Sequence, residues 1–189
     1  MLAGRRVVIV GAGGIGRAIA RLSRAVGTTV TGVARTAREG DPDFGWIVAV
    51  DHLLAVLPNA DFVVLAAPLT AATRGLIDAH ALRAMAPGAY LINVGRGPLV
   101  REDDLIEAVR QGWIAGAALD VFEQEPLPAD HPLWRMPRVL GSPHMSGDFV
   151  GWRQALMRQF VDNLRRWLAG EPLHNVIDKG RGYAATGLD

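Results

Sequence analysis

The sequence predicts an α/β fold, a doubly wound parallel sheet with helices on both faces. Three observations carry that expectation. Short β-branched runs recur along the chain with amphipathic segments between most of them. The runs are apolar at consecutive residues, as strands buried on both faces must be. The first of them, Val7-Val8-Ile9-Val10, leads straight into the glycine turn Gly11-Ala12-Gly13-Gly14-Ile15-Gly16 and then into a helical pattern.

After the strand at 7–10, Ile15, Ala18, Ile19, Leu22 and Val26 follow at helical spacing. Further strands are expected at 29–34, 62–67, 89–94, 115–121 and 138–140, with a weaker one at 46–50. Covering helices are expected at 51–57, 78–85 and 102–110. The last of these turns Leu105, Ile106 and Val109 inward and sets Glu102, Asp103 and Asp104 at its positive N-terminal end. A final helix over 152–169 carries Leu156, Phe160, Val161, Leu164, Trp167 and Leu168 along one side, so it needs an apolar surface to lie on. Gly170-Glu171-Pro172 stops it, and 173–178 reads as an extended segment without an obvious partner in the chain.

A strand, the spacing G-x-G-x-x-G and a helix in that order form a dinucleotide-binding turn, which makes the sheet Rossmann-type. Gly11 permits the tight turn, Gly13 lets the backbone approach a pyrophosphate, and Gly16 lets the helix pack on the strand. The free N–H groups of the helix N-terminus then face the anion.

With 189 residues, half of them apolar, the chain can bury one sizeable core and a small appendage. The expected division is 1–150 for the nucleotide-binding domain and 151–189 for the terminal helix and tail. Net charge is +1, and no dense basic run supports a nucleic-acid surface. Absence of cysteine excludes disulfides and thiolate metal sites, and no metal-ligand spacing links His52, His80, His131 and His174. No apolar run approaches the roughly 18 residues that span a bilayer, and the start shows no signal-peptide pattern, so a soluble cytoplasmic protein is expected.

Ligands of open α/β sheets sit beyond the carboxyl ends of the strands. Three such ends carry polar groups: Asn93-Val94-Gly95-Arg96-Gly97, Asp120-Val121-Phe122-Glu123-Gln124-Glu125-Pro126 and Ser142-Pro143-His144-Met145-Ser146-Gly147. Together with the glycine turn, Ala67-Pro68-Leu69-Thr70 with Thr73, and His131-Pro132-Leu133-Trp134, these motifs make the chain resemble the nucleotide-binding domain of the D-2-hydroxyacid dehydrogenase family. The resemblance covers essentially the whole chain.

The resemblance implies an oxidoreductase that transfers hydride between NAD(P)H and a small 2-keto or 2-hydroxy acid. By motif, Arg96 holds the substrate, His144 is the acid–base residue and Glu125 is its carboxylate partner, with Glu123 close enough to compete for that role. The chemistry agrees: guanidinium offers a fixed fork to a carboxylate, and imidazole titrates near neutrality. The implied cofactor residues are Gly11, Gly13, Gly14, Ile15 and Gly16 at the turn, and Pro68 and Thr73 in the loop after the 62–67 strand. Val94 and Gly95, Asp120 beside the nicotinamide carboxamide, and Ser146 complete the set toward the other end. The family dimerises through this domain, so a homodimer is expected.

An NAD-selective site carries an acid about 20 residues beyond the glycines. Ala34 stands at that place and Arg35 follows, with Thr36 and Arg38 nearby, so NADP(H) is expected to be favoured over NAD(H); Arg35 stacked on adenine, with poor discrimination, is the alternative. The family's second domain is encoded mostly before the glycine motif, and Leu2-Ala3-Gly4 resembles the end of its connector. The expectation is therefore a truncated product of a dehydrogenase lineage, weak or inactive alone. A non-catalytic NADPH-binding module, or a chain completed by a partner, is the alternative. Glyoxylate, hydroxypyruvate, phenylpyruvate and branched 2-keto acids all remain open as substrates.

Overall fold

The computed structural model describes residues 1–180 and the backbone of 183 and 184. It divides into two compact units, Met1–Pro143 and His144–Asp189. The boundary expected at 150/151 falls inside the second unit, and residues 181, 182 and 185–189 of the expected tail lie outside the described residues.

The first unit is built on strands β1 (Arg6–Val10), β2 (Thr29–Ala34), β3 (Arg38–Asp41), β4 (Gly45–Ala49), β5 (Phe62–Leu65), β6 (Tyr90–Asn93), β7 (Gly116–Leu119) and β8 (Val139–Gly141). They form one sheet in the order β3-β4-β2-β1-β5-β6-β7-β8, parallel throughout except for the antiparallel edge strand β3. Successive side chains of β1 separate onto the two faces. Val8 and Val10 join the larger core with Val63, Leu65 and Leu91, under helices α2 (Leu53–Val56), α3 (Ala79–Ala84) and α4 (Glu102–Gln111). Val7 and Ile9 join a smaller core with Val30, Phe44 and Ile47, under helix α1 (Gly14–Ala25). The expected Rossmann-type sheet with helices on both faces is therefore present.

The expected strands and helices form with shifted ends, and α4 buries Leu105, Ile106 and Val109 as its spacing requires. Three features differ. The helix expected over 51–57 is reduced to α2 between two 3-10 turns, because Pro58 in the second turn has no N–H to continue it. Strand β3 was not expected: Arg38-Glu39-Gly40-Asp41 has no apolar residue, and its pairing to β4 alone makes it a strand. In α1 the residues facing the sheet are Gly16, Arg17 and Ala20, whereas Ile15 and Leu22, which help mark it as helical, are exposed.

Close contact explains that last exchange. Gly11 has φ +109°, and a Cβ there would stand 2.6 Å from the Ala66 backbone; a Cβ on Gly16 would stand within 2 Å of the Gly11 carbonyl oxygen, at 1.8 Å. Helix α1 thus approaches β1 too closely for any side chain at position 16.

In the second unit, α5 (Trp152–Ala169) ends on Gly170 in the left-handed conformation. Its Phe160, Trp167 and Leu168 are all exposed among the described residues. The segment expected to lack a partner finds one locally: β9 (Ile177–Asp178) pairs antiparallel with β10 (Tyr183–Ala184). Among the described residues, no helix is long and apolar enough to cross a membrane.

Two outcomes follow from the α1 side of the sheet. Gly16→Ala forces α1 off β1 and should cost about 1–3 kcal/mol in denaturant unfolding; an unchanged midpoint would contradict the close contact. Asp41 accepts two hydrogen bonds from the Arg17 guanidinium, which holds its carboxyl down at about 2 from an ordinary 3.8. Because the folded value is the lower one, the stabilisation is complete above about pH 4 and is lost as pH falls toward 2. Carboxyl NMR should find Asp41 titrating near the lower value, and a midpoint near 4 would show that the pair does not persist in solution.

Candidate active site

Strand order reverses at β1, where the chain runs outward through β2 and β4 and then returns to place β5 on the other side. The crevice at such a switch point, at the carboxyl ends of β1 and β5, is where open α/β sheets hold ligands. The Gly11 turn lies there, against the Ala66 backbone that follows β5. A Cβ at Gly13 or Gly14 would meet nothing within 4 Å, so the side of the turn away from the sheet is open. The α1 N-terminus has no side-chain cap and no acidic residue in its first turn. Uncapped N–H groups facing an open cradle fit a pyrophosphate. Ile15, in that first turn, presents an exposed apolar side chain.

The loop after β5 is shaped from within. The Thr73 hydroxyl donates to the Pro68 carbonyl at 2.7 Å and accepts from the Thr70 N–H at 2.8 Å. Thr73, expected as a cofactor residue, thus also holds the Pro68–Thr70 corner beside the glycine turn.

After β6, the buried Asn93 side chain accepts from the Gly95 N–H at 3.1 Å and donates to the Arg96 carbonyl at 3.0 Å. This tight turn presents Arg96 at the surface between the buried Gly95 and Gly97, its guanidinium also donating to the Gly95 carbonyl at 2.7 Å. Val94 is anchored through its N–H to the Leu65 carbonyl. A Cβ on Gly97 would stand 1.8 Å from the Phe122 carbonyl oxygen. The Arg96 turn and the loop after β7 are therefore in direct backbone contact.

That second loop begins with Asp120, 4% exposed, whose carboxylate accepts the Ser142 hydroxyl at 2.5 Å. Glu125 accepts the Phe122 N–H at 3.0 Å, folding its carboxylate back over the loop. Glu123 points elsewhere: its carboxylate accepts the Glu102 N–H at the start of α4, while the Glu102 carboxylate accepts the Glu123 N–H. This reciprocal pair ties Glu123 to the start of α4, whereas Glu125 is held within its own loop. Burial pushes the Glu102 carboxyl up, against the opposing pull of the Glu123 N–H and of His131, whose Nε2 lies 3.6 Å away.

At the opposite end of the crevice, Arg35 and Thr36 lie exposed in the link between β2 and β3, and Arg38 opens β3. His144 and Ser146 belong to the second unit, where His144 takes φ +52°, an uncommon value for a side-chain-bearing residue. Among the described residues, no group of His, Asp and Glu is placed to hold a metal ion.

Sequence reasoning missed four supporting residues. Asn93 and Gly97 stand inside a motif that was read for its arginine. Glu102 and His131 each have a partner distant in sequence, which periodicity does not report.

The comparisons with known proteins agree with this geometry. A family profile described as the NAD binding domain of D-isomer specific 2-hydroxyacid dehydrogenases matches residues 1–146. A glyoxylate/hydroxypyruvate reductase A of Serratia proteamaculans is 37% identical over 175 residues, covering 93% of this chain and 55% of that protein. A D-isomer specific 2-hydroxyacid dehydrogenase of Xanthobacter autotrophicus, solved in complex with NADPH and MES, superimposes with TM-score 0.84 at 41% identity, covering 95% of this chain and 73% of that one. An NADPH-dependent glyoxylate/hydroxypyruvate reductase of Sinorhizobium meliloti, solved with NADP and sulfate, gives 0.86 at 34% identity, covering 95% and 57%. The chain spans a little over half the length of the curated relatives it matches. It belongs to the D-isomer specific 2-hydroxyacid dehydrogenase family.

Proposed function

We propose that this chain binds NADP(H) in preference to NAD(H) and acts in the reversible reduction of a small 2-keto acid, with weak turnover as the isolated 189-residue chain. The observation that carries the cofactor reading is the open, uncapped glycine turn with Ala34, at the end of β2, where an NAD-selective site would place an acid, and the exposed Arg35 next to it. A guanidinium gains a charge-assisted pair with a 2′-phosphate and little from a free 2′-hydroxyl. Two relatives solved with NADPH or NADP support the same choice.

The bound nicotinamide supplies or accepts the hydride. Arg96, fixed by Asn93, forks onto the substrate carboxylate and the neighbouring carbonyl oxygen. His144 donates the proton that the carbonyl oxygen takes up on reduction, and removes it in the reverse direction. Glu125 is the carboxylate partner that the family resemblance gives to His144. Asp120, held by Ser142, orients the carboxamide, and Ser146 adds a polar contact for the cofactor. Residues 151–189 act with the substrate-binding part of such an enzyme. Glyoxylate or hydroxypyruvate is the first substrate to try, because the similar reductases are named for them. The same reading makes the chain a cytoplasmic protein that pairs with a second copy.

A second reading, an NADPH-binding module without turnover, is favoured by the exposure of Arg96. Without a closed pocket, much of the roughly 7–11 kcal/mol available from positioning is forfeited.

Fluorescence titration should show NADPH binding about tenfold or more tightly than NADH, and Arg35→Asp should erase or invert that ratio. An unchanged ratio would overturn the assignment of Arg35. NADPH oxidation by the purified chain with glyoxylate or hydroxypyruvate should be slow and should vanish in His144→Ala. A folded sample that holds NADPH but turns over neither acid would establish the binding-module reading instead.

A further inference from the structure

We propose that Arg17 is a positioning residue for cofactor selectivity: through Asp41 and Asp43 it fixes the β3–β4 hairpin, and thereby the link that presents Arg35 to the 2′-phosphate. This inference rests on the NADP(H) reading above and names the part of the structure that holds it in place.

Arg17 lies in the second half of the first turn of α1, where its N–H closes that turn on the Gly13 carbonyl. Its side chain leaves the glycine turn and runs beneath the helix over the Phe44 ring, with the guanidinium carbon 5.8 Å from the centroid. There it grips the hairpin with three hydrogen bonds of 2.9 Å, two to the Asp41 carboxylate and one to Asp43. Arg17 and Asp41 are both nearly buried, with side chains 10% and 6% exposed. Asp41 also accepts the backbone N–H groups of Asp43 and Phe44, so the same carboxylate shapes the turn between the two strands. Arg21 and Arg24, on successive turns of α1, add bonds to Asp43 and to the Pro42 carbonyl.

The hairpin needs such a tie. Strand β3 is an edge with no apolar residue, pairs only with β4, and shifts register between Glu39 and Asp41. The link 35–37 hangs between Ala34, fixed in the sheet opposite Ala49, and Arg38, paired with Ile47. One anchor lies in the body of the sheet, and the other is only as firm as β3. A link this short transmits any displacement of β3 to Arg35 and Thr36. Pyrophosphate binding at Gly13 and Gly14 does not involve the hairpin, so loosening it should affect the two cofactors unequally.

Cofactor titration of the full 189-residue chain tests the inference with three variants. Arg17→Lys keeps the charge but loses the fork that serves two carboxylates at once. Asp43→Asn leaves the Arg17–Asp41 pair intact and weakens the hairpin if Arg17→Lys fails to fold. Each is expected to weaken NADPH and adenosine 2′,5′-bisphosphate by about fivefold to tenfold while NADH changes by less than about twofold. Equal weakening of NADPH and NADH, or no change in either, would show that the tie supports only the fold and overturn the proposal. Arg35→Asp separates the two levels. If it collapses the NADPH preference and the hairpin variants do not, only this inference fails. If the unaltered chain shows no preference, or Arg35→Asp leaves it intact, the NADP(H) reading fails and this inference with it.

Discussion

The contact between the first glycine turn and the strand end beside it governs the rest of the first unit. Gly11 brings the turn against the Ala66 backbone, and Gly16 brings α1 against the Gly11 carbonyl. These contacts fix where the N–H groups of α1 emerge, and they bury Gly16, Arg17 and Ala20 between helix and sheet, with Ile19 packed beside them. The arginine can fill that space because its stem lies under the helix and its charge is met by two carboxylates beyond the far side. A close-packed helix start and a charged tie to the sheet edge are therefore two results of one constraint.

The other end of the crevice is held by different chemistry. Polar groups are satisfied by side chains within and between loops: Asn93 closes the Arg96 turn, the Ser142 hydroxyl meets the Asp120 carboxylate, and Glu102 and Glu123 each accept the other's N–H. The contact of Gly97 with Phe122 ties these loops into one piece. Every buried polar group so satisfied escapes the cost of roughly 1–3 kcal/mol that an unpaired one would carry. Polar side chains can then crowd the carboxyl end of a sheet whose interior is almost wholly apolar.

Most of the sheet was legible because its strands announce themselves as apolar runs and its first turn carries glycines at a spacing with a mechanical reason. What escaped lacked a local signature. Strand β3 has no hydrophobic pattern and exists through its pairing with β4 and its tie to Arg17, both long-range. The residues after α1's first turn looked like an apolar stripe, yet packing distance, not hydrophobicity, decided which of them faces the sheet. At the site, motif names the side chains proposed to meet ligands, whereas Asn93, Glu102 and His131, which hold the loops, are recognisable only once their partners are known. His144 marks a further limit of local reading, since it opens a second compact unit that sequence pattern divided elsewhere.

The two halves of the crevice differ in how their carboxylates are held, one by a buried arginine and the other by backbone N–H and hydroxyl donors. Arg17 and Asp41 are too buried for salt to screen them as it screens a surface pair. Proton concentration reaches them instead, since protonating Asp41 leaves the nearly buried guanidinium with one carboxylate partner fewer. The Arg96 turn rests on the Asn93 amide, which has no ionisation to lose. On acidification the Glu102 carboxyl, pushed up by burial, takes its proton before Asp41, which the Arg17 guanidinium holds down, so acid reaches the loop after β7 before it loosens the β3–β4 hairpin. The glycine turn, whose geometry depends on neither, is the element that both ends share.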